Sequence, residues 1–203
     1  LITSSAASDV YKRQILTSVI MAVVIGLPTG IAMSRSDRTE KIVTPILDVM
    51  QTMPPFVYLI PIVMLMGIGK IPGLISVVIY AIPPLIRLTN LGIREVDQEA
   101  LEAADAFGAT KRQKLFEVQL PLALPTIFAG INQTIMMALA MVIIASMIGV
   151  KGLGQPVLQS IYNQYFTKGV LYGLAIVIVA IVFDRVSQSY GKRIQKHRSG
   201  KLI

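Results

Sequence analysis

Residues 15–34 read ILTSVIMAVVIGLPTGIAMS, twenty consecutive residues without a charge. A bilayer core about 30 Å thick needs roughly 20 helical residues to cross it, so this run predicts a membrane-spanning helix. Every backbone N–H and C=O at membrane depth must then be satisfied inside the protein, which leaves helical bundles and closed barrels as the available folds. Gly26, Pro28 and Gly30 within the run are tolerable because neighbouring helices can re-satisfy the backbone groups that a kink frees. Composition points the same way, with a mean hydropathy of +0.67 and only 15% charged residues. The chain has no cysteine, which removes disulfide frameworks, thiolate metal sites and thiol nucleophiles.

Further apolar runs follow. The stretch 42–69 is too long for one simple span and is interrupted by Pro54 and Pro55, so it predicts an interfacial helix leading into a span over about 54–69, with Asp48 and Gln51 near the membrane surface. IGKIPG reads as a tight turn, and a third span is expected from Pro72 to about Leu88. A fourth covers roughly Leu122 to Gly149, GVKGLGQ forms a glycine-rich turn, 155–166 a short surface helix, and a fifth span runs from about Gly169 to Phe183. The expected fold is all-α, a polytopic membrane protein with about five transmembrane helices.

Lys and Arg beside the span ends set orientation. Fourteen fall on the side that holds Arg35, Arg87, Arg94, Lys111 and the basic tail 191–203, whereas Lys70, Lys151 and Lys168, with Lys12 and Arg13 near the N-terminus, fall on the other. The fourteen mark the cytoplasmic side. The net charge of +8 is therefore a topology signal rather than a nucleic-acid-binding face, and His197 belongs to a solvated basic tail. Residues 1–14, LITSSAASDVYKRQ, have no apolar period; DVYKRQ is similar to one reading frame of a transposase mosaic-end adaptor, so this segment is expected to be non-native or disordered, with a short polar tail as the alternative. The membrane domain is expected over 15–190.

One polar stretch stands out, EAADAFGATKRQKLFEVQLP at 102–121. Strong helix formers from Glu99 to Phe107 place Ala100, Ala103, Ala104 and Phe107 on one shallow apolar face. Gly108, followed by Ala109, suits the left-handed position just past a helix end. Thr110 and Gln113 have capping-box spacing, so a second short helix is expected from Lys111 with Leu115, Phe116 and Val118 on its apolar side, and Pro121 as a first-turn proline of the next span. Such a bent pair, joined to a span, can pass force from a docked protein into the membrane; an amphipathic loop resting on lipid headgroups is the alternative.

The string Glu102-Ala103-Ala104, three residues, Gly108, nine residues, Val118-Gln119-Leu120-Pro121 resembles the signature loop of binding-protein-dependent ABC importer permeases, with Val118 where that family has Ile. ILDVMQTMPPFVYLIPIVMLMGIG at 46–69 and VQLPLALPTIFAGINQTIMMALAMVIIASMIGVKGLGQ at 118–155 resemble the glycine betaine/proline/choline branch, with permeases for methionine and other polar amino acids as more distant relatives. The resemblance implies a type I ABC importer permease fold and a loop seated in a separate ATPase. It also implies a second permease copy, two ATP-binding subunits, an extracytoplasmic binding protein, surrounding membrane lipid and a small-molecule osmolyte, in a bacterial cytoplasmic membrane.

No GxxxxGK[ST] phosphate loop is present, so this chain is expected to bind no cofactor and perform no catalysis, with ATP held by the partner. Polar residues that can line a solute path are Asp48, Gln51, Asn132, Gln133, Thr134 and Ser146; the same groups can instead bond helix to helix. Asp48 also suits a structural ion pair, and Gly149, Gly152 and Gly154 can form an outer gate or a plain turn. Quaternary ammonium groups favour aromatic cages, yet Trp is absent and the seven Tyr and six Phe are scattered, so tight selection is expected in the binding protein. The rival classes are a channel or ion-coupled carrier, which needs carboxylates within the spans, and a membrane scaffold without a pathway.

Overall fold

The structure, a computed structural model, describes residues 2–147 and 154–199. Helix α1 spans Ile2–Arg35 and ends where Ser36 turns extended and caps α2, Asp37–Thr52, by accepting a hydrogen bond from the Thr39 N–H at 3.3 Å. The Pro54–Pro55 pair separates α2 from α3, Pro55–Met66, and the two axes meet at 95°. A bend follows because proline offers no amide hydrogen and pushes the residue before it out of the helical region. Gly67 reverses the chain at φ 80°.

Helices α4, Lys70–Ala81, and α5, Pro83–Arg94, follow one another through Ile82 and together form one membrane-length element, Lys70–Arg94. This span is longer than the sequence suggests at both ends. The Pro83–Pro84 pair sits in the first turn of α5, where missing N–H groups cost least, so it does not end the span at Leu88. Helix α6 covers Gln98–Ala106. A single helix then runs from Lys111 to Met147, made of α7, Lys111–Gln113, a π-helical stretch over Lys114–Gln119, and α8, Leu120–Met147.

Pro121 is thus not a span-opening residue; it lies inside this helix, two residues past the end of the π-helical stretch. There the Leu120 N–H donates to the Leu115 carbonyl, five residues back. The wider turn gives the Pro121 ring room beside the carbonyl that an α-helical turn would press against it. The chain continues as α9, Gly154–Tyr162, and α10, Phe166–Ser199.

Among the described residues, three helices are long and apolar enough to cross a membrane, and a fourth if α2 and α3 count as one bent span. The apolar part of α10, Phe166–Val182, is shorter than those, where the sequence reading expects a fifth span. Helix α8 is the hub, touching α1, α3, α4, α5, α9 and α10. Ala138, Leu139, Met141, Val142 and Ala145 of α8 pack with Ile15, Tyr58, Leu59, Val77 and Ala81. Large apolar side chains point outward, with Met64 and Leu65 81% and 86% exposed, as a lipid-facing surface requires.

The closest packing is made by glycines. A Cβ on Gly30 would stand 2.5 Å from Thr89 Cβ and 2.9 Å from the Ile86 carbonyl oxygen, and one on Gly26 would meet Leu85 Cδ2 at 2.9 Å. Gly26 and Gly30 form a small-xxx-small face against which α5 lies nearly backbone to backbone. Across α5, Gly92 meets Thr126, and Gly130 of α8 meets Leu85 and Leu88. Gly30→Ala is expected to destabilise the purified chain by about 1–3 kcal/mol through overpacking. Gly173→Ala, where nothing lies within 4 Å, should leave the thermal midpoint in detergent nearly unchanged; equal midpoints for both variants would show that α1 and α5 do not approach this closely.

Candidate functional site: a cytoplasmic hairpin below a polar cavity

The hairpin grows out of α5 with only Glu95, Val96 and Asp97 between them. Asp97 caps α6 by accepting from the Glu99 N–H at 3.0 Å. At the other end Gly108 adopts φ 74°. The Gly108 N–H donates to the Asp105 carbonyl at 2.9 Å and the Ala109 N–H to the Ala104 carbonyl at 3.0 Å. These are the two bonds of a Schellman motif. An added Cβ on Gly108 would meet nothing within 4 Å, so its requirement is a backbone one.

Thr110 and Gln113 form the capping box their spacing predicts: the Gln113 N–H donates to Thr110 Oγ1 at 3.3 Å and the Thr110 N–H to Gln113 Oε1 at 2.9 Å. Lys114 pairs with Asp105, tying the second arm to the first. Leu115 is buried with Ile93, Val96, Ala123 and Ile127, and Leu101 packs on the same cluster. Both arms are therefore anchored on the cytoplasmic ends of α5 and α8.

The outward face carries Glu102, Ala103 and Phe107, the last 91% exposed, while Ala104 and Ala109 are half-buried. Phe116 does not share an apolar side with Leu115 and Val118, as the sequence reading has it. Leu115 is buried and Phe116 is exposed, facing out 6.0 Å beneath the Arg112 guanidinium. Val118 and Leu120 are half-buried near Pro121. A rigid knob with exposed aromatics and an arginine has the composition of a protein-binding hot spot.

Above the hairpin lies a cavity of about 350 Å³ between α2, α5 and α8, lined among others by Glu40, Gln51, Arg87, Asn90 and Gln133. Two ion-pair sets hold α2 on α5. Arg94 donates to the Met33 carbonyl oxygen at 3.1 Å, to Asp37 at 2.8 Å and through Nε to Asn90 Oδ1 at 3.1 Å, and it pairs with Glu40 at 3.1 Å; Asn90 Nδ2 in turn donates to Glu40 at 2.8 Å. Higher up, Arg87 pairs with Asp48.

The structure thus brings together Gln51, Gln133 and, through Arg87, Asp48. Asn132 is half-buried on α8 and does not line the cavity. Thr134 is fully buried, with its hydroxyl lacking a partner. Ser146 lies at the opposite end of α8, where its hydroxyl donates to the Ile143 carbonyl at 2.7 Å and accepts from the Gly154 N–H at 2.9 Å. Gly154 is buried against this hydroxyl, whereas Gly149 and Gly152 lie outside the described residues. Sequence reasoning missed Glu40, Arg87, Asn90 and Arg94. Arg87 was visible as a cation one turn past a proline pair, but a span ending at Leu88 makes it an end charge. With α5 running to Arg94, Arg87 lies about 10 Å further in, at 1.5 Å per residue.

Comparisons agree with this geometry. A chain from the inward-facing methionine ABC transporter structures superposes with a TM-score of 0.82 at 21% identity, over 97% of this chain and 96% of that one, which establishes the fold as that of an ABC importer membrane domain. Residues 18–196 match the family described as binding-protein-dependent transport system inner membrane component, and the chain belongs to that family. It is 56% identical over 178 residues to the glycine betaine/proline betaine transport system permease protein of Salmonella typhimurium, covering 88% of this chain and 50% of that one. It is 55% identical over 179 residues to the glycine betaine/carnitine transport permease protein of Listeria monocytogenes, covering 88% and 64%. The chain therefore spans about half to two thirds of the length of these relatives.

Gly108→Val forces a β-branched side chain into the left-handed region, at a cost of about 1–2 kcal/mol. The hairpin amides of Gly108 and Ala109 are expected to exchange several-fold faster than in wild type, with Gly108→Asn in between; unchanged exchange in Gly108→Val would show that the Schellman turn does not hold the bend.

Proposed function

We propose that this chain is the membrane-spanning permease subunit of an ABC importer for glycine betaine and related quaternary-amine osmoprotectants. The reading rests above all on the 56% identity to a relative named for glycine betaine and proline betaine transport, and a second relative at 55% shares glycine betaine in its name. A separate ATPase, two copies per transporter, drives it through the hairpin 98–121 and binds the ATP. An extracytoplasmic binding protein delivers the solute.

The mechanism follows from the mechanical layout. A partner gripping Phe107, Phe116 and Arg112 moves both arms of the hairpin, and these are fastened to α5 and α8 through Leu101 and Leu115. Movement of the ATPase becomes tilting of the two helices that wall the cavity. Asp48, Gln51 and Gln133 are exposed on segments otherwise surrounded by apolar surface; polar groups there face a water-filled path or a second subunit rather than lipid. A homodimer with these faces opposed encloses the solute pathway, and no nucleic acid takes part.

Reconstitution tests the assignment. In proteoliposomes holding the full-length permease, its ATPase and its binding protein, glycine betaine uptake is expected only with ATP inside the ATPase-accessible compartment. Phe107→Ala should cut uptake at least tenfold by removing a central anchor. Uptake by the permease alone under an ion gradient would instead make it a secondary carrier.

A further inference from the structure

The two arginines of α5 are used differently. Arg94 meets four acceptors, the Met33 carbonyl, Asn90, Asp37 and Glu40, and reads as a fixed strut. Arg87 is held by a single carboxylate, Asp48, which is itself 57% exposed. The Arg87 Nε is buried without a hydrogen-bond partner, although a guanidinium carries five donors that match a carboxylate in pairs. An under-satisfied guanidinium beside a cavity of about 350 Å³, within the range of small-molecule sites, is poised to exchange its partner.

We propose that the Arg87–Asp48 pair is the recognition element of a transit site for a zwitterion, which inserts between the two side chains. The incoming carboxylate takes the place of Asp48 on Arg87, and the incoming cationic group faces the freed Asp48. Gln51 and Gln133 supply amide donors at the cavity wall. A lone anion or a lone cation would leave Asp48 or Arg87 without its counter-charge, whereas a zwitterion replaces one ion pair by two and leaves net charge unchanged. Opening a single exposed pair is cheap enough for a solute to be released again, as a transit site requires. Glycine betaine, proline betaine and carnitine all join a quaternary ammonium to a carboxylate, so the proposal rests on the substrate reading above and says where in the chain that chemistry is met.

The test uses the assembled transporter, with full-length permease, ATPase and binding protein, and glycine betaine as probe. Removing both charges together, in Arg87→Gln/Asp48→Asn, leaves no orphan charge, so a purely structural pair predicts uptake within about twofold of wild type. The transit site predicts at least a tenfold loss of uptake while the thermal midpoint and assembly with the ATPase stay as in wild type. The reversed pair, Arg87→Asp/Asp48→Arg, should recover uptake in part, because a zwitterion can bind the other way round. Full uptake by the doubly neutral variant, or its loss together with assembly while the reversed pair also fails, overturns the proposal and leaves the substrate reading standing. Failure of the wild-type transporter to take up glycine betaine overturns the substrate reading and this proposal with it.

Discussion

Helix α5 is gripped from two sides by glycines, and the rest of the molecule is arranged around that contact. Gly26 and Gly30 of α1 admit Leu85, Ile86 and Thr89 on one side, while Gly130 of α8 admits Leu85 and Leu88, and Gly92 of α5 admits Thr126 on the other. Membrane helices gain no hydrophobic advantage by meeting each other in lipid, so close backbone approach and dispersion contacts must hold them. With its two neighbours this close, α5 has little freedom to slide or rotate by itself. It carries the arginines that fasten α2, it walls the cavity, and it leads into the hairpin.

That continuity explains why the hairpin is built so firmly despite lying at the surface. Each end of α6 is closed by local hydrogen bonds, the second arm begins in a capping box, and Asp105 and Lys114 tie the arms together. The buried Leu115 then joins the hairpin to Ile93 of α5 and Ala123 of α8. A soft loop in this place would absorb a partner's motion; a stiff one passes it on.

The hairpin was legible in the sequence because its chemistry is local. Gly108, Thr110 and Gln113 act within a few residues of themselves, and spacing alone fixes what they do. The spans were legible as apolar runs, but their ends were not. Arg87 ended a span in the hydropathy pattern, yet α5 continues to Arg94 because Asp37, Glu40 and Asn90, from elsewhere in the bundle and from α5 itself, satisfy Arg94. Gly26 and Gly30 read as tolerated breaks, whereas they are contact surfaces, a role that appears only once Thr89 lies opposite. The π-helical turn before Pro121 escaped notice because the sequence shows the proline and not the register change that relieves it. Of the polar residues in the spans, Gln51 and Gln133 meet at one cavity while Thr134 and Ser146 are taken up in packing, a division set by which way each helix faces.

The central claim is that hairpin, α5 and α8 move as one body. These 203 residues contain no cysteine, so two introduced ones can be labelled alone once any cysteine elsewhere in the transporter is replaced. Spin labels at Lys111→Cys and Leu91→Cys in one permease copy of the assembled transporter would report the distance between hairpin and α5, with and without trapped ATP. The account predicts an intrachain distance that stays the same while the distance between Leu91→Cys labels in the two copies changes. An intrachain distance that shifts while the distance between copies stays fixed would mean that the hairpin flexes by itself, and would contradict it.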